Sequence, residues 1–351
     1  MEEHYFSLPR NLVVGNGVIE RAGHYFASLW PRRSRVLVVT GPNVARNVFP
    51  RVEESLREAG FDVHYIVVDK PTVETAEETV AEIDRGRYDV VVGLGGGKSI
   101  DIAKYSSYKA GKDFVSIPTA ASHDGITSPF ASLKGFDKPV SMKASVPQLI
   151  LLDALLISQS PRRLARAGFG DILGKWTAVL DWRLAHKLKG EYYGEYAASL
   201  ALMSAKHVIT NVDEIGSWTP EGIRILLEAL VSSGVAMCIA GSSRPASGSE
   251  HLFSHALDLI AKHPALHGEQ VALGTIMMLY LHGRNWVKVK KVMSRIGLPT
   301  KARELGVSDV EVIEALTIAH KVRPERYTIL GEKGLTWEAA ERLARKTGVI
   351  D

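Results

Sequence analysis

The chain has 351 residues, 46% apolar and 23% charged, and its 43 basic and 39 acidic side chains leave a net charge of +4. That length exceeds one ordinary core, so two domains are expected, and the composition excludes an intrinsically disordered chain. The basic residues form no run of five or more, so nucleic acid is not expected as a partner, because non-specific binding to it needs clustered positive charge.

Met1-Glu2-Glu3-His4 has neither the basic start nor the apolar stretch of a secretory leader. Arg35-Val36-Leu37-Val38-Val39-Thr40 is an apolar run closed by Gly41-Pro42-Asn43, which predicts a buried strand and a turn. Helical spacing follows over 48–58. Residues 62–68 predict a second strand, 75–84 a helix and 88–94 a third strand. Gly95-Gly96-Gly97-Lys98-Ser99 leads into a helix over 100–109, and 114–117 and 148–152 read as two more strands. Apolar strands alternating with helices predict a parallel sheet covered on both faces. After Ser158 the pattern changes. Pro161 suits a first helical turn with Ser160 as cap, and from there to Asp351 the apolar residues recur with helical period. The predicted fold is α/β: a Rossmann-like parallel-sheet domain over 1–157, then an all-helical domain over 158–351.

The most apolar stretch, 225–240, is interrupted by Glu228, Ser232 and Ser233. No membrane insertion is therefore expected, and a cytoplasmic location is. Cys238, the one cysteine, excludes a disulfide scaffold and a cysteine-based zinc site within the chain. Three Gln and six Asn beside abundant Arg, Glu and Lys suggest a hot-growing source.

Two motifs carry chemistry. The first is Gly95-Gly96-Gly97-Lys98-Ser99 between a strand and a helix. Glycines permit close backbone approach, and a helix N-terminus offers free N–H groups and partial positive charge, which together suit a pyrophosphate. The loop follows the third strand rather than the first, and it lacks the spacing of either the dinucleotide fingerprint or a Walker A loop. A tight turn without a ligand is the plainer alternative. The second motif is a group of four histidines, His251, His255, His263 and His267, within 17 residues. His251 and His255 are spaced i,i+4, so one helix face presents both rings. Converging imidazoles bind zinc or iron, with a further ligand from elsewhere. Asp171, between Gly170 and Gly174, is a candidate and is read as opening a helix. The alternative is that it caps that helix. Ser122-His123-Asp124-Gly125 forms a separate loop beyond the fourth strand, where open sheets gather ligands.

In this order the Gly95–Asp101 loop, Ser122-His123-Asp124-Gly125, Phe169-Gly170-Asp171 and Glu250-His251…His255…His267-Gly268-Glu269 resemble the group containing glycerol dehydrogenase, iron-dependent alcohol dehydrogenase and dehydroquinate synthase. Ser122–Gly125 and Gly248-Ser249-Glu250-His251 narrow the resemblance to its archaeal sn-glycerol-1-phosphate dehydrogenase branch. The resemblance implies that 1–157 binds NAD or NADP and that 158–351 binds metal and substrate. Gly95, Gly96, Gly97, Lys98 and Ser99 would hold the pyrophosphate. Thr119, Ala120, Ala121, Ser122 and Ser128 would line the nicotinamide end. Asp171, His251 and His267 would bind Zn2+. Asp124 and His255 would touch the substrate and serve the chemistry, with Asp171 also at the substrate. Lys70, beside Asp69, would tolerate a 2′-phosphate, which leaves NAD and NADP both open.

The implied reaction is reduction of dihydroxyacetone phosphate to sn-glycerol 1-phosphate, for the glycerophosphate backbone of archaeal ether lipids. A glycerol dehydrogenase acting on an unphosphorylated polyol is the nearest alternative, and a non-catalytic nucleotide-binding sensor is another. The phosphorylated substrate needs a cationic pocket, for which Lys143, Lys206, Lys321 and Arg326 are candidates. A homo-oligomer is expected from surplus apolar faces, for example Ala272, Ile276, Leu279 and Tyr280 on one side of a helix.

Overall fold

The computed structural model describes residues 4–135 and 140–351. Met1, Glu2 and Glu3, read above for a leader, lie outside the described residues. The chain divides into two compact units. The first runs to Arg162 and takes in Trp218–Leu227, and the second is Arg163–Ser217 with Glu228–Asp351.

The strands are β1 (Asn11–Gly15), β2 (Arg35–Thr40), β3 (Asp62–Val67), β4 (Val90–Gly95), β5 (Asp113–Pro118), β6 (Phe130–Leu133), β7 (Val140–Lys143) and β8 (Leu149–Asp153). Six of them form one sheet in the order β1-β8-β5-β4-β2-β3, parallel throughout. Its helices are α1 (Ala22–Ala27), α2 (Pro42–Asn47), α3 (Phe49–Glu58), α4 (Val73–Gly86), α5 (Gly97–Ala110) and α6 (Ala154–Ser158). The uninterrupted apolar runs of the inner strands are explained by burial on both faces. Val36, Val38, Val90 and Val92 pack in one core with Ile19, Phe26, Val52 and Leu56. From β2 the chain moves outward to β3 and then returns to the other side of β2 as β4. The loops leaving β2 and β4 therefore diverge, which creates the switch point where such sheets bind ligands.

The sequence reading missed the short helices α1, α2 and α6, and Gly41-Pro42-Asn43, expected as a turn, instead caps and opens α2. Three strands also escape it. β1 is a five-residue edge strand paired only to β8, too short for its period to stand out. β6 and β7 form a separate antiparallel hairpin.

The second part of the chain is helical as expected, with α7 (Arg162–Lys189), α8 (Glu195–Thr210), α9 (Val212–Gly216), α10 (Pro220–Ala240), α11 (Ser249–Ile260), α12 (His267–Leu281), α13 (Trp286–Ile296), α14 (Asp309–Val322) and α15 (Trp337–Lys346). α7 begins at Arg162, and Ser160 does not cap it: its buried Oγ has no hydrogen-bond partner. α10 is the one helix among the described residues long and apolar enough to cross a membrane, and 61% of its apolar window is buried in the protein. Ala272, Ile276 and Leu279 are buried within the chain and only Tyr280 is exposed, so this face gives no ground for an oligomer.

Candidate active site

The glycine loop spans the end of β4 and the first turn of α5. Gly95 has φ +147°, a conformation that side chains rarely adopt, and a Cβ there would also press on Ser99. A Cβ at Gly96 would meet nothing within 4 Å, so space lies open beside the backbone where a ligand could approach. α5 starts at Gly97, three residues before the expected position, so the glycines themselves supply the free N–H groups of the helix terminus. Lys98 reaches across to donate to the Asp69 carbonyl at 3.1 Å.

The loop after β5 folds over this terminus. Thr119 N–H donates to the Gly95 carbonyl at 3.0 Å. Gly125 N–H donates to His123 Nδ1 at 2.9 Å, which leaves the proton of a neutral ring on Nε2. That ring lies so close to Gly97 that neither Gly97 nor Gly125 has room for a Cβ. Asp124 follows in a short 3-10 turn, and Ser128 Oγ donates to the Phe130 carbonyl at 3.1 Å. Beneath the loop lies Lys104, fully buried, which the sequence reading missed. Its ammonium donates to the Gly125 and Phe130 carbonyls and to Asp101 Oδ1, and Asp101 Oδ2 accepts from Ser132 N–H at 3.1 Å. No local signal marked it, because α5 also carries Lys98 and Lys109, and only the carbonyls supplied by the 125–130 loop distinguish Lys104.

In the second unit, Asp171, His251 and His267 each turn a ligand atom to a common point, all within 4.8 Å of one another. Asp171 does not open a helix. It is the tenth residue of α7, which corrects the expectation and removes helix capping as its role. His251 lies in the first turn of α11, and His267 is the first residue of α12. Glycines let these helices approach. A Cβ on Gly268 would lie 2.5 Å from the Ala167 carbonyl carbon, and one on Gly174 would lie 2.7 Å from Val271 Cγ1.

The donor set suits a divalent metal ion. Burial opposes ionisation of Asp171, but Lys175, His251 and His267 outweigh it and hold its carboxyl well below the usual carboxylate range. Lys175, itself buried, donates to Asp171 Oδ1 at 2.8 Å and to the Ala246 carbonyl at 3.2 Å. Glu250 is buried too, yet its contacts with His251, Thr177 and Gly248 bring its carboxyl below the ordinary range. Its Oε1 meets His251 Nδ1 at 2.7 Å. An ionised Glu250 accepts a hydrogen bond from Nδ1, and Nε2 faces Asp171 Oδ1 at 3.4 Å. A metal ion that displaces the proton Nε2 shares with Asp171 would find its lone pair directed at the site, the usual outer-shell arrangement around metal-binding histidine. His267 Nδ1 hydrogen-bonds Ser254 Oγ at 3.3 Å.

His255 stacks on His267 with ring centroids 5.7 Å apart but is not in the converging set. Its Nδ1 is buried without a hydrogen-bond partner. Burial, with His251 and Arg323 nearby, pushes its pKa down against the opposing Asp258. His263 joins neither group. Asp181, also unforeseen, ties the region together. Its carboxylate accepts from Ser249 N–H at 2.7 Å, Ser249 Oγ at 2.6 Å and Ile329 N–H at 2.7 Å, and it meets His282 Nε2 at 3.0 Å. A separate cavity of about 500 Å³ lined by Trp176, Val179, Leu202 and Val292 includes none of these residues.

A profile of the family described as iron-containing alcohol dehydrogenase matches residues 13–161. Among solved structures, glycerol dehydrogenase from Schizosaccharomyces pombe superposes with TM-score 0.81 at 21% identity, covering 99% of this chain and 91% of that one. A probable glycerol dehydrogenase from Sinorhizobium meliloti gives 0.79 at 22%, covering 98% of each. At that identity these establish the shared fold. Sequence similarity reaches further. The glycerol-1-phosphate dehydrogenase [NAD(P)+] of Aeropyrum pernix is 62% identical over 99% of both chains. That of Hyperthermus butylicus is 56% identical over the same shares. The chain belongs to the glycerol-1-phosphate dehydrogenase family of NAD(P)-dependent oxidoreductases.

Proposed function

We propose that this chain reduces dihydroxyacetone phosphate to sn-glycerol 1-phosphate with NADH or NADPH, and that the product feeds the backbone of archaeal membrane ether lipids. The observation that carries the reading is 62% identity along 99% of both chains to a relative named for that dehydrogenation. In this reading residues 1–157 form the NAD(P)-binding domain and 158–351 the metal- and substrate-binding domain. Gly95, Gly96, Gly97, Lys98 and Ser99 hold the pyrophosphate. Thr119, Ala120, Ala121, Ser122 and Ser128 line the nicotinamide end. Asp171, His251 and His267 hold zinc, with Asp124, Asp171 and His255 at the substrate.

When bound, the metal supplies Lewis acidity toward a carbonyl oxygen and the dinucleotide supplies the hydride. The chain's own groups do the rest. The free N–H groups at Gly97 receive the pyrophosphate charge. Lys175 and Glu250 fix the ionisation of Asp171 and the tautomer of His251. His255, or a water it holds, delivers the proton to the reduced oxygen, and Asp124 orients the substrate. The protein works in the cytoplasm, without membrane insertion, as a homo-oligomer. Support for the oligomer is the exposure of Tyr5, Phe6, Leu8 and Leu12 before and on edge strand β1.

The test is NADH and NADPH oxidation with dihydroxyacetone phosphate and with dihydroxyacetone, followed by chiral analysis of the product and metal analysis of the protein. Preference for the phosphorylated ketone and an sn-1 product support the reading. Equal or better turnover of dihydroxyacetone supports a polyol dehydrogenase, and no oxidation with any carbonyl supports a sensor.

A further inference from the structure

Three arginines stand together in the second unit. Arg244 is buried and paired with Glu191, with Nε at 2.7 Å from Oε1 and Nη2 donating to Oε2 at 2.9 Å. Arg326 has no carboxylate partner among the described residues. Its guanidinium donates to the Ser247 carbonyl at 2.8 Å and to Ser243 Oγ at 2.9 Å. Arg323 is half-buried; its carbonyl accepts from Arg326 N–H at 3.0 Å, and its guanidinium meets no hydrogen-bond or ion-pair partner among the described residues. Burial and the neighbouring Arg323 and Arg244 push Arg326 down to about 9, against the weaker pull of Glu325 and Glu191. Burial likewise lowers Arg323. Two guanidiniums held partly out of water beside a third, with too few carboxylates to match them, are costly unless an anion joins them.

The cluster adjoins the metal-ligand set. Segment 243–248 joins the two. Ser243 and Ser247 receive Arg326, Ala246 receives Lys175, the partner of Asp171, and Gly248 N–H donates to Glu250, the partner of His251. The charge of Arg323 also acts on His255. The other cations considered from sequence, Lys143, Lys206 and Lys321, are all exposed.

We infer that Arg323 and Arg326 form the binding site for the phosphate group of the substrate, a phosphate monoester dianion. This rests on the reading that the substrate is phosphorylated. Planar guanidinium forks suit phosphate oxygens and hold their charge where an ammonium would lose it. Arg326, already oriented by two acceptors, is the fixed half of the site, and Arg323 is the half that closes on the ligand.

The test compares wild type with Arg323→Met, Arg326→Met and Arg326→Lys. The first readout is the ratio of kcat/KM for dihydroxyacetone phosphate to that for dihydroxyacetone. The second is the rise in melting temperature on adding inorganic phosphate. Metal per chain reports whether each variant keeps its ligand set. Arg323→Met should cut the substrate ratio by about 100-fold, the scale of losing one buried charge-assisted contact, and should abolish the phosphate-induced rise while keeping metal. Arg326→Lys should recover part of the ratio lost in Arg326→Met. If Arg326→Met fails to fold, Arg323→Met decides alone. An unchanged ratio in Arg323→Met overturns the inference while leaving the proposed function standing. A loss confined to NADPH relative to NADH also overturns it, because the cluster would then read the dinucleotide. A wild type that reduces neither ketone, yet shows Arg323-dependent stabilisation by phosphate, retains the anion site and overturns the proposed function.

Discussion

Replacing Gly268 by alanine separates helix stability from metal-site geometry. An added Cβ would lie 2.5 Å from the Ala167 carbonyl carbon and 3.0 Å from its Cα. The nearest atom is the Ala167 carbonyl oxygen, far inside van der Waals contact, and carbon atoms rest near 3.5 Å or beyond, so α12 must retreat from α7 by more than about 1 Å. The intrinsic helical gain of Gly→Ala is about 1 kcal/mol, and overpacking costs about 1–3 kcal/mol. These partly cancel, so the net loss of stability is about 0–2 kcal/mol. The ligand set feels the shift far more. His267 sits beside Gly268 on α12 and Asp171 on α7, and ligand distances tolerate only about 0.2 Å. Metal affinity should therefore fall at least as far as when an outer-shell partner is lost, about 10–100-fold. The assay is metal per chain after dialysis against graded chelator, with melting temperatures of the metal-free forms. Gly216→Ala is the control, since a Cβ there meets nothing within 4 Å. Full metal retention by Gly268→Ala at every chelator concentration would refute the reasoning.

Other substitutions test the remaining assignments. His251→Ala, His267→Ala and Asp171→Ala should each lose metal, whereas His255→Ala should keep it and lose about 10²–10⁴-fold in rate. Loss of metal in His255→Ala with retention in His267→Ala would reverse the ligand assignment. Asp181→Ala strands the buried donors of Ser249 and Ile329 and should cost about 3 kcal/mol or more by denaturant unfolding; a change below 1 kcal/mol would show that water replaces them. Lys104→Met leaves Asp101 unmatched beneath the 125–130 loop and should destabilise by about 3–5 kcal/mol, with weaker NAD(P)H binding by fluorescence titration; wild-type affinity in a folded Lys104→Met protein would show that the loop needs no tether. The scarcity of Gln, Asn and Cys leads to a melting temperature above about 60 °C, and a scan by calorimetry checks it.

The sequence by itself determined the α/β class, the inner strands and the change to helices, because these follow from local periodicity and turn residues. It also presented the glycine loop, whose Gly95 needs its positive φ wherever the chain goes next. The edge strand β1 and the β6–β7 hairpin were not legible, since each is short and its pairing lies far along the chain or outside any regular pattern. The histidine cluster shows the same division. Spacing alone made His251 and His255 a pair, but the tertiary structure sets His251 with His267 and Asp171. Helical spacing places rings on one face, and only the glycine-mediated approach of α7 and α12 decides which atoms converge. Buried charges were the least legible of all. Lys104, Lys175 and Asp181 resemble any surface residue in sequence, and what they do depends on carbonyls, amides and carboxylates supplied by distant segments. A buried charge persists only where folding has already assembled its partners.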